Sequence, residues 1–162
     1  MPFGRLREYR QGAKRADKIV YTKCPDLNRE ELASAQLRFT EGEPLFSKII
    51  YSELQRVHEG SGGSIDSPLL VTSIARPGYL FDHLSKQFEG LNHKKYRDHY
   101  SFSQKDLDQL ASQSTHIICT DKDWAKLKSL NMPEDTSIWV QSIKLQFEGE
   151  DLGDFIEQRL GN

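Results

Sequence analysis

YRDHYSFSQKDLDQLASQSTHIICTDKDWAKL, residues 96–127, is the stretch that decides the fold. In order it reads as a short strand, a polar corner, a helix, a buried strand and a second capped helix. Ser103 is placed as an N-cap with Asp106 at N3, a capping box in which aspartate takes the usual place of Glu or Gln. Phe102 and Leu107 stand at the N′ and N4 positions of a hydrophobic staple. Thr120 and Asp123 repeat the box one helix later, with Cys119 and Trp124 at the staple positions. Between the two helices His116-Ile117-Ile118-Cys119 is a short apolar, β-branched run, as a buried strand requires. Two corners follow candidate strands: Arg97-Asp98-His99-Tyr100 and Thr120-Asp121-Lys122-Asp123. In open α/β sheets ligands bind at the carboxyl ends of strands, so these corners are the first candidates for a site.

Outward from this stretch the same alternation continues. Lys18-Ile19-Val20-Tyr21 reads as a strand that Pro25 stops. Asn28 caps a helix with Glu31 at N3, running to about Phe39. Residues 48–52 read as a strand. Residues 58–67, HEGSGGSIDS, read as a flexible surface loop, since Gly63 leads into Ser-Ile-Asp rather than the Lys-Ser/Thr of a phosphate loop. Leu69 to Ala75 is a buried strand. A helix follows Arg76-Pro77-Gly78, buries Leu80, Phe81, Leu84 and Phe88, and ends at Gly90. Residues 137–147, SIWVQSIKLQF, read as one long strand, and residues 151–160 as an amphipathic helix. Five strands alternating with helices of about ten residues predict an α/β fold, a mostly parallel sheet with flanking helices. Residues 1–17 read as a basic entry segment and residues 18–162 as a single α/β domain.

Composition narrows the partners. The 162 residues hold 36% hydrophobic side chains at a mean hydropathy of −0.66. No apolar run is long enough to span a bilayer, and no signal peptide is expected. Cys24 and Cys119, two thiols far apart, point to a reducing compartment and not to a disulfide framework or a zinc site built on cysteines. Residues 1–23 hold seven Lys/Arg against two acids, in a chain whose total charge is −2. Such an end meets phosphates or an anionic membrane surface, or is simply a solvated arm. No nucleic-acid partner is expected.

Several motifs in order carry a resemblance. Gly4-Arg5-Leu6-Arg7-Glu8, Lys14-Arg15-Ala16-Asp17 and Thr22-Lys23-Cys24-Pro25 come first. Ile74-Ala75-Arg76-Pro77 with Phe81 follows, then Tyr96-Arg97-Asp98-His99-Tyr100 with Phe102, then Thr120-Asp121-Lys122-Asp123-Trp124-Ala125-Lys126-Leu127. Together they resemble the C-terminal half of the tetraacyldisaccharide 4′-kinases, the lipid A 4′-kinases. The family's N-terminal half carries a P-loop, a proposed catalytic aspartate and an Asp-Asp-Gly-Phe motif, and none of these occurs in this sequence. Ser73 stands where the family usually has Gly, and Asp121 where it has Glu.

The resemblance implies the Rossmann-like half of a P-loop kinase-type fold, whose missing N-terminal lobe is a required partner. It implies ATP and Mg²⁺ as cofactors, and phosphoryl transfer to the 4′-hydroxyl of a lipid A disaccharide 1-phosphate. The place it implies is cytoplasmic, peripheral at the cytoplasmic face of the inner membrane. His99 matches the family histidine thought to activate the hydroxyl, with Asp98 beside it. Arg7 and Glu8 match residues near the nucleotide and metal, and Thr22 and Lys23 fall where a base-contacting loop is expected. A reading from a different class is a non-catalytic nucleotide- or phosphosugar-binding module; an inactive remnant is a third.

Each candidate also has a plain reading. His99 can be a surface histidine in a polar loop, and Arg7 and Glu8 a surface ion pair. Asp121 and Asp123 stabilise the first turn of a helix. Lys122 and Lys126 read as solvated, Trp124 as core, and both cysteines as small buried hydrophobes. Asp98, His99, His116, Asp121 and Asp123 match no metal-ligand spacing.

Overall fold

The computed structural model describes residues 18–22, 45–60 and 63–148, with residues 12, 15, 16, 153, 156 and 157. The chain clusters into two compact units, Met1–Ile50 with Ile143–Asn162, and Tyr51–Ser142. The first contains a three-stranded sheet. Strand β1 (Val20–Tyr21) runs parallel to β2 (Leu45–Tyr51), and β8 (Ile143–Glu148) lies on the other side of β2. Tyr21 stacks on Phe46 at 5.4 Å between ring centroids.

The second unit is built on a five-stranded sheet. Its strands are β3 (Gln55–His58), β4 (Leu69–Thr72), β5 (Asn92–Lys95), β6 (His116–Thr120) and β7 (Ser137–Gln141), in the order β3-β7-β6-β4-β5. The pairs β7/β6, β6/β4 and β4/β5 are parallel, and β3 is antiparallel at one edge. The helices are α1 (Gly78–Leu84), α2 (Gln104–Ala111) and α3 (Asp121–Leu127). The expected mixed α/β architecture with a mostly parallel main sheet is therefore present.

Side-chain alternation along the central strands explains the layers. Leu69, Val71, Ile117 and Cys119 pack with Leu107 and Leu110 of α2 and Leu127 of α3. Leu70 and Ile118 point the other way and pack with Leu80 and Leu84 of α1. Both faces of β4 and β6 are thus covered, which is why these strands read as unbroken apolar runs. Burial raises the Cys119 thiol pKa, with Asp123 and Asp121 adding to the effect. In a Cys24→Ser background, Cys119 is expected to stay unmodified by a thiol reagent until denaturant is added. Rapid labelling of the native protein would contradict this packing.

Helix α2 begins as its sequence specifies. Ser103 Oγ accepts the Asp106 N–H, and the Asp106 carboxylate accepts the Ser103 N–H at 2.8 Å. The hydrogen bond from the Ser103 hydroxyl, with that from its backbone, holds the Asp106 carboxyl below the usual carboxylate range. A depressed pKa contributes stability above the unfolded value of about 3.9 and loses it as pH falls through the folded value. Asp106→Ala is expected to cost about 1 kcal/mol at pH 7. Urea titrations at pH 7 and at pH 3 should show the gap between variant and parent narrowing in acid.

Several boundaries differ from the sequence reading. The run 137–147 is not one strand: β7 stops at Gln141 and β8 begins at Ile143. Buried Gln141 turns its amide onto the carbonyls of Ser52 (2.5 Å) and Ser142 (3.2 Å), and Ser142 Oγ donates to Asp121 Oδ1 at 2.7 Å. The Ser142 carbonyl also accepts the Ser52 N–H at 3.0 Å. His58 ends strand β3 rather than opening the surface loop. Gly60 follows it, and a Cβ there would lie 2.5 Å from the Thr136 backbone. Helix α1 stops at Leu84, well before Gly90; Phe88 then bonds back to Leu84 through its N–H. Strand β5 ends at Lys95, one residue before the expected strand at Tyr96. Eight strands are present among the described residues, against the five expected. The helix expected from Asn28 to Phe39 lies outside the described residues. Of the helix expected over 151–160, only residues 153, 156 and 157 are described, and they are helical.

Candidate functional site at the carboxyl ends of β4 and β6

Strand order places the site. After β4 the chain crosses through α1 to β5; after β6 it crosses through α3 to β7 on the opposite side. Helices α1 and α3 pack on opposite faces, so the connections leaving the adjacent strands β4 and β6 diverge. This is a topological switch point, where open α/β sheets leave a crevice at the strand ends. Ser73 follows β4 there, and Thr120 ends β6.

The corner after β5 is stitched to the end of β4. The Tyr96 N–H donates to the Thr72 carbonyl at 2.8 Å, and the His99 N–H to the Ser73 carbonyl at 3.2 Å. A turn closes with the Tyr100 N–H on the Arg97 carbonyl at 3.2 Å. His99 has φ 58°, the left-handed region that costs a residue with a Cβ about 1–2 kcal/mol. Asp98 Oδ1 supports that conformation by accepting the His99 N–H at 3.1 Å. The backbone is pinned while the imidazole is 86% exposed. Asp98 Oδ2 lies 3.9 Å from His99 Nε2, an ion-pair separation too long for a hydrogen bond that selects a ring tautomer.

Aromatic packing fixes the other side of the corner. Tyr96, Tyr100 and Phe102 form a cluster with ring centroids 4.6–5.3 Å apart. The Tyr100 hydroxyl donates to Asp106 Oδ1 at 3.2 Å, tying the corner to the start of α2. The Arg97 guanidinium lies 6.0 Å from the centre of the Tyr100 ring. On the neighbouring strand, Thr72 Oγ1 and His93 Nε2 are 2.8 Å apart, and burial lowers the His93 pKa.

The switch-point crevice holds a cluster that the sequence reading did not assemble. Asp123 is fully buried. Its Oδ2 accepts from the Ser73 N–H at 3.2 Å and from the Thr120 hydroxyl at 2.8 Å, and its Oδ1 accepts from the Ser73 hydroxyl. Lys126 Nζ donates to Ser73 Oγ at 2.7 Å and lies 3.6 Å from Asp123 Oδ1. Lys126 is therefore not the solvated lysine expected. The i, i+3 spacing of Asp123 and Lys126 was the available signal, and Ser73 was its distant partner.

Of the sequence candidates, the structure brings Asp98 and His99 together. Thr22 follows β1, exposed, in the other unit. Arg7, Glu8 and Lys23 lie outside the described residues. Among the described residues no three His, Cys, Asp or Glu side chains gather as a metal site, and no helix is long and apolar enough to cross a membrane. A cavity of about 550 Å³ opens at the opposite end of β6, lined by Ser64, Asp66, Ser112, Gln113 and His116 among others. Its lining holds no lysine or arginine to meet a phosphate, and the strand-end corner is the candidate site.

Comparison with known proteins bears on what the corner does. The family model described as tetraacyldisaccharide-1-P 4′-kinase matches residues 1–161. A tetraacyldisaccharide 4′-kinase of Parabacteroides distasonis is 33% identical over 149 residues, covering 80% of this chain and 40% of the relative. One from Cytophaga hutchinsonii is 33% identical, covering 82% and 41%, and one from Flavobacterium johnsoniae is 32% identical, covering 79% and 40%. The chain thus spans about two-fifths of the length of the curated relatives it matches. No solved structure matches.

Proposed function

The chain belongs to the tetraacyldisaccharide-1-P 4′-kinase family, and on that premise we propose that it is the C-terminal lobe of a lipid A 4′-kinase. The observation that carries this reading is the match over residues 1–161 combined with coverage of only 40% of the relatives. The sequence has no P-loop motif. A lobe that carries one is then the required partner, and it completes a P-loop kinase-type fold of which this sheet is the Rossmann-like part.

The reaction is transfer of the ATP γ-phosphoryl group to the 4′-hydroxyl of a tetraacyldisaccharide 1-phosphate. The 4′-oxygen attacks phosphorus, the bond to the β–γ bridging oxygen breaks, and ADP leaves. Such transfers depend on positioning and charge stabilisation more than on covalent chemistry. The part assigned to this chain is the hydroxyl's proton. His99, on a pinned backbone with its ring in solvent, reaches across to the acceptor and works with a carboxylate of the partner lobe. Asp98 holds the turn. The phosphate cradle belongs to the partner lobe; this chain adds Arg7 and Glu8 near the phosphates and Mg²⁺, and Thr22 and Lys23 near the base. The working position is peripheral, at the cytoplasmic face of the inner membrane, where the lipid acceptor is found.

Co-expression tests the pairing. The chain is expected to co-purify with the part of the Parabacteroides distasonis relative that it does not cover, and the pair to bind ATP–Mg²⁺ by calorimetry. Tight ATP–Mg²⁺ binding by this chain alone, with no association, would favour a free-standing binding module instead.

A further inference from the structure

We propose that Asp123 is a positioning residue for the His99 corner, acting through Ser73 across the β4–β6 switch point; its catalytic consequence rests on the role given to His99 above. Capping α3 requires only the Thr120 hydroxyl and the Asp123 N–H, 3.2 Å apart. The Asp123 carboxylate does more. It turns away from solvent onto a different strand and takes both the N–H and the hydroxyl of Ser73. The third polar group of Ser73, its carbonyl, accepts the His99 N–H. All three polar groups of one residue are thereby engaged, and the backbone torsions of Ser73 fix where that carbonyl points.

Ser73 and the Asp123 carboxylate leave no polar atom without a partner. Ser73 Oγ donates to Asp123 and accepts from Lys126. Asp123 accepts three hydrogen bonds and faces the Lys126 ammonium at 3.6 Å. Lys126 also lies 5.9 Å from the centre of the Phe102 ring, which belongs to the aromatic cluster beside His99. A buried carboxylate is tolerated only when it is paired and hydrogen-bonded in this way. His99 needs such support because its left-handed backbone persists only where the surroundings over-determine it.

The test reads the corner directly. In ¹⁵N-labelled chain, Asp123→Asn keeps the size of the side chain but offers one acceptor oxygen to three donors. The His99 amide signal is expected to move and its hydrogen exchange to speed up several-fold, short of the roughly tenfold that losing one hydrogen bond outright would give, because Asp98 Oδ1 still accepts the same N–H. The amides of Ile117 and Ile118 in β6 should stay unchanged. Ser73→Ala, which removes only the hydroxyl, should shift the same signal by less, and it decides the matter if Asp123→Asn does not fold. Asp121→Asn, on the same helical turn but exposed, should leave His99 alone. A folded Asp123→Asn, or failing that Ser73→Ala, with a parental His99 signal and exchange rate overturns the proposal. With the partner lobe joined, Asp123→Asn should lower kcat and leave KM for ATP unchanged. If the amide responds and kcat does not, the positioning stands and the role of His99 in the reaction fails.

Discussion

Joined to the P-loop part of a relative, the His99→Ala chain is expected to turn over about 10²–10⁴-fold more slowly, the usual contribution of a positioned proton-transfer group. KM for ATP should hardly move, because the role proposed for the corner is toward the acceptor hydroxyl. The left-handed backbone of His99 complicates the single substitution, since alanine keeps the strained φ without the ring. His99→Gly relieves that strain and should raise stability slightly. If both variants lose activity while their stabilities move apart, the missing ring is the cause. Steady-state kinetics at saturating lipid acceptor, with thermal melts on the same samples, separates the two effects. A parental kcat in either variant removes His99 from the mechanism.

Asp123→Ala is expected to cost about 3–5 kcal/mol, the range for breaking a buried, hydrogen-bonded ion pair from one side. The size follows from what is left behind. The Ser73 N–H and hydroxyl and the Thr120 hydroxyl lose their acceptor in a buried crevice, and the Lys126 ammonium loses its counter-charge. Asp121→Ala removes one exposed hydrogen bond to Ser142 and should cost under about 1 kcal/mol. Urea unfolding of the two variants side by side gives the comparison. Equal losses would mean that Asp123 contributes as a first-turn acid and nothing more.

Local features of this fold were legible in the sequence, and long-range ones were not. The capping box of Ser103 and Asp106 needs only four consecutive residues, and it forms as written. Strands β4 and β6 were visible because burial on both faces leaves polar residues, Thr72, His116 and Thr120, only at the strand ends. The break at Ser142 falls where the apolar alternation changes phase, from Ile138 and Val140 to Ile143, Leu145 and Phe147, and there Gln141 bonds to Ser52 and Ser142 to Asp121. The same applies to the site. The ends of β4 and β6 were expected to carry it, yet Asp123 read as a helix residue because Ser73 lies fifty positions away. The left-handed turn at His99 was only partly local: the adjacent Asp98 carboxylate shares the His99 N–H with the distant Ser73 carbonyl.

Phosphate transfer from γ-labelled ATP to a tetraacyldisaccharide 1-phosphate, measured with the purified chain alone and again after joining it to the P-loop part of a relative, tests the central claim most directly. Positioning and charge stabilisation at the phosphates supply most of the rate in such transfers, and this sequence has no P-loop to supply them. The account predicts no labelled lipid from the chain alone and labelled lipid, dependent on Mg²⁺, from the joined protein. Labelled lipid made at comparable rate by the chain alone, or none from a folded joined protein, would contradict it.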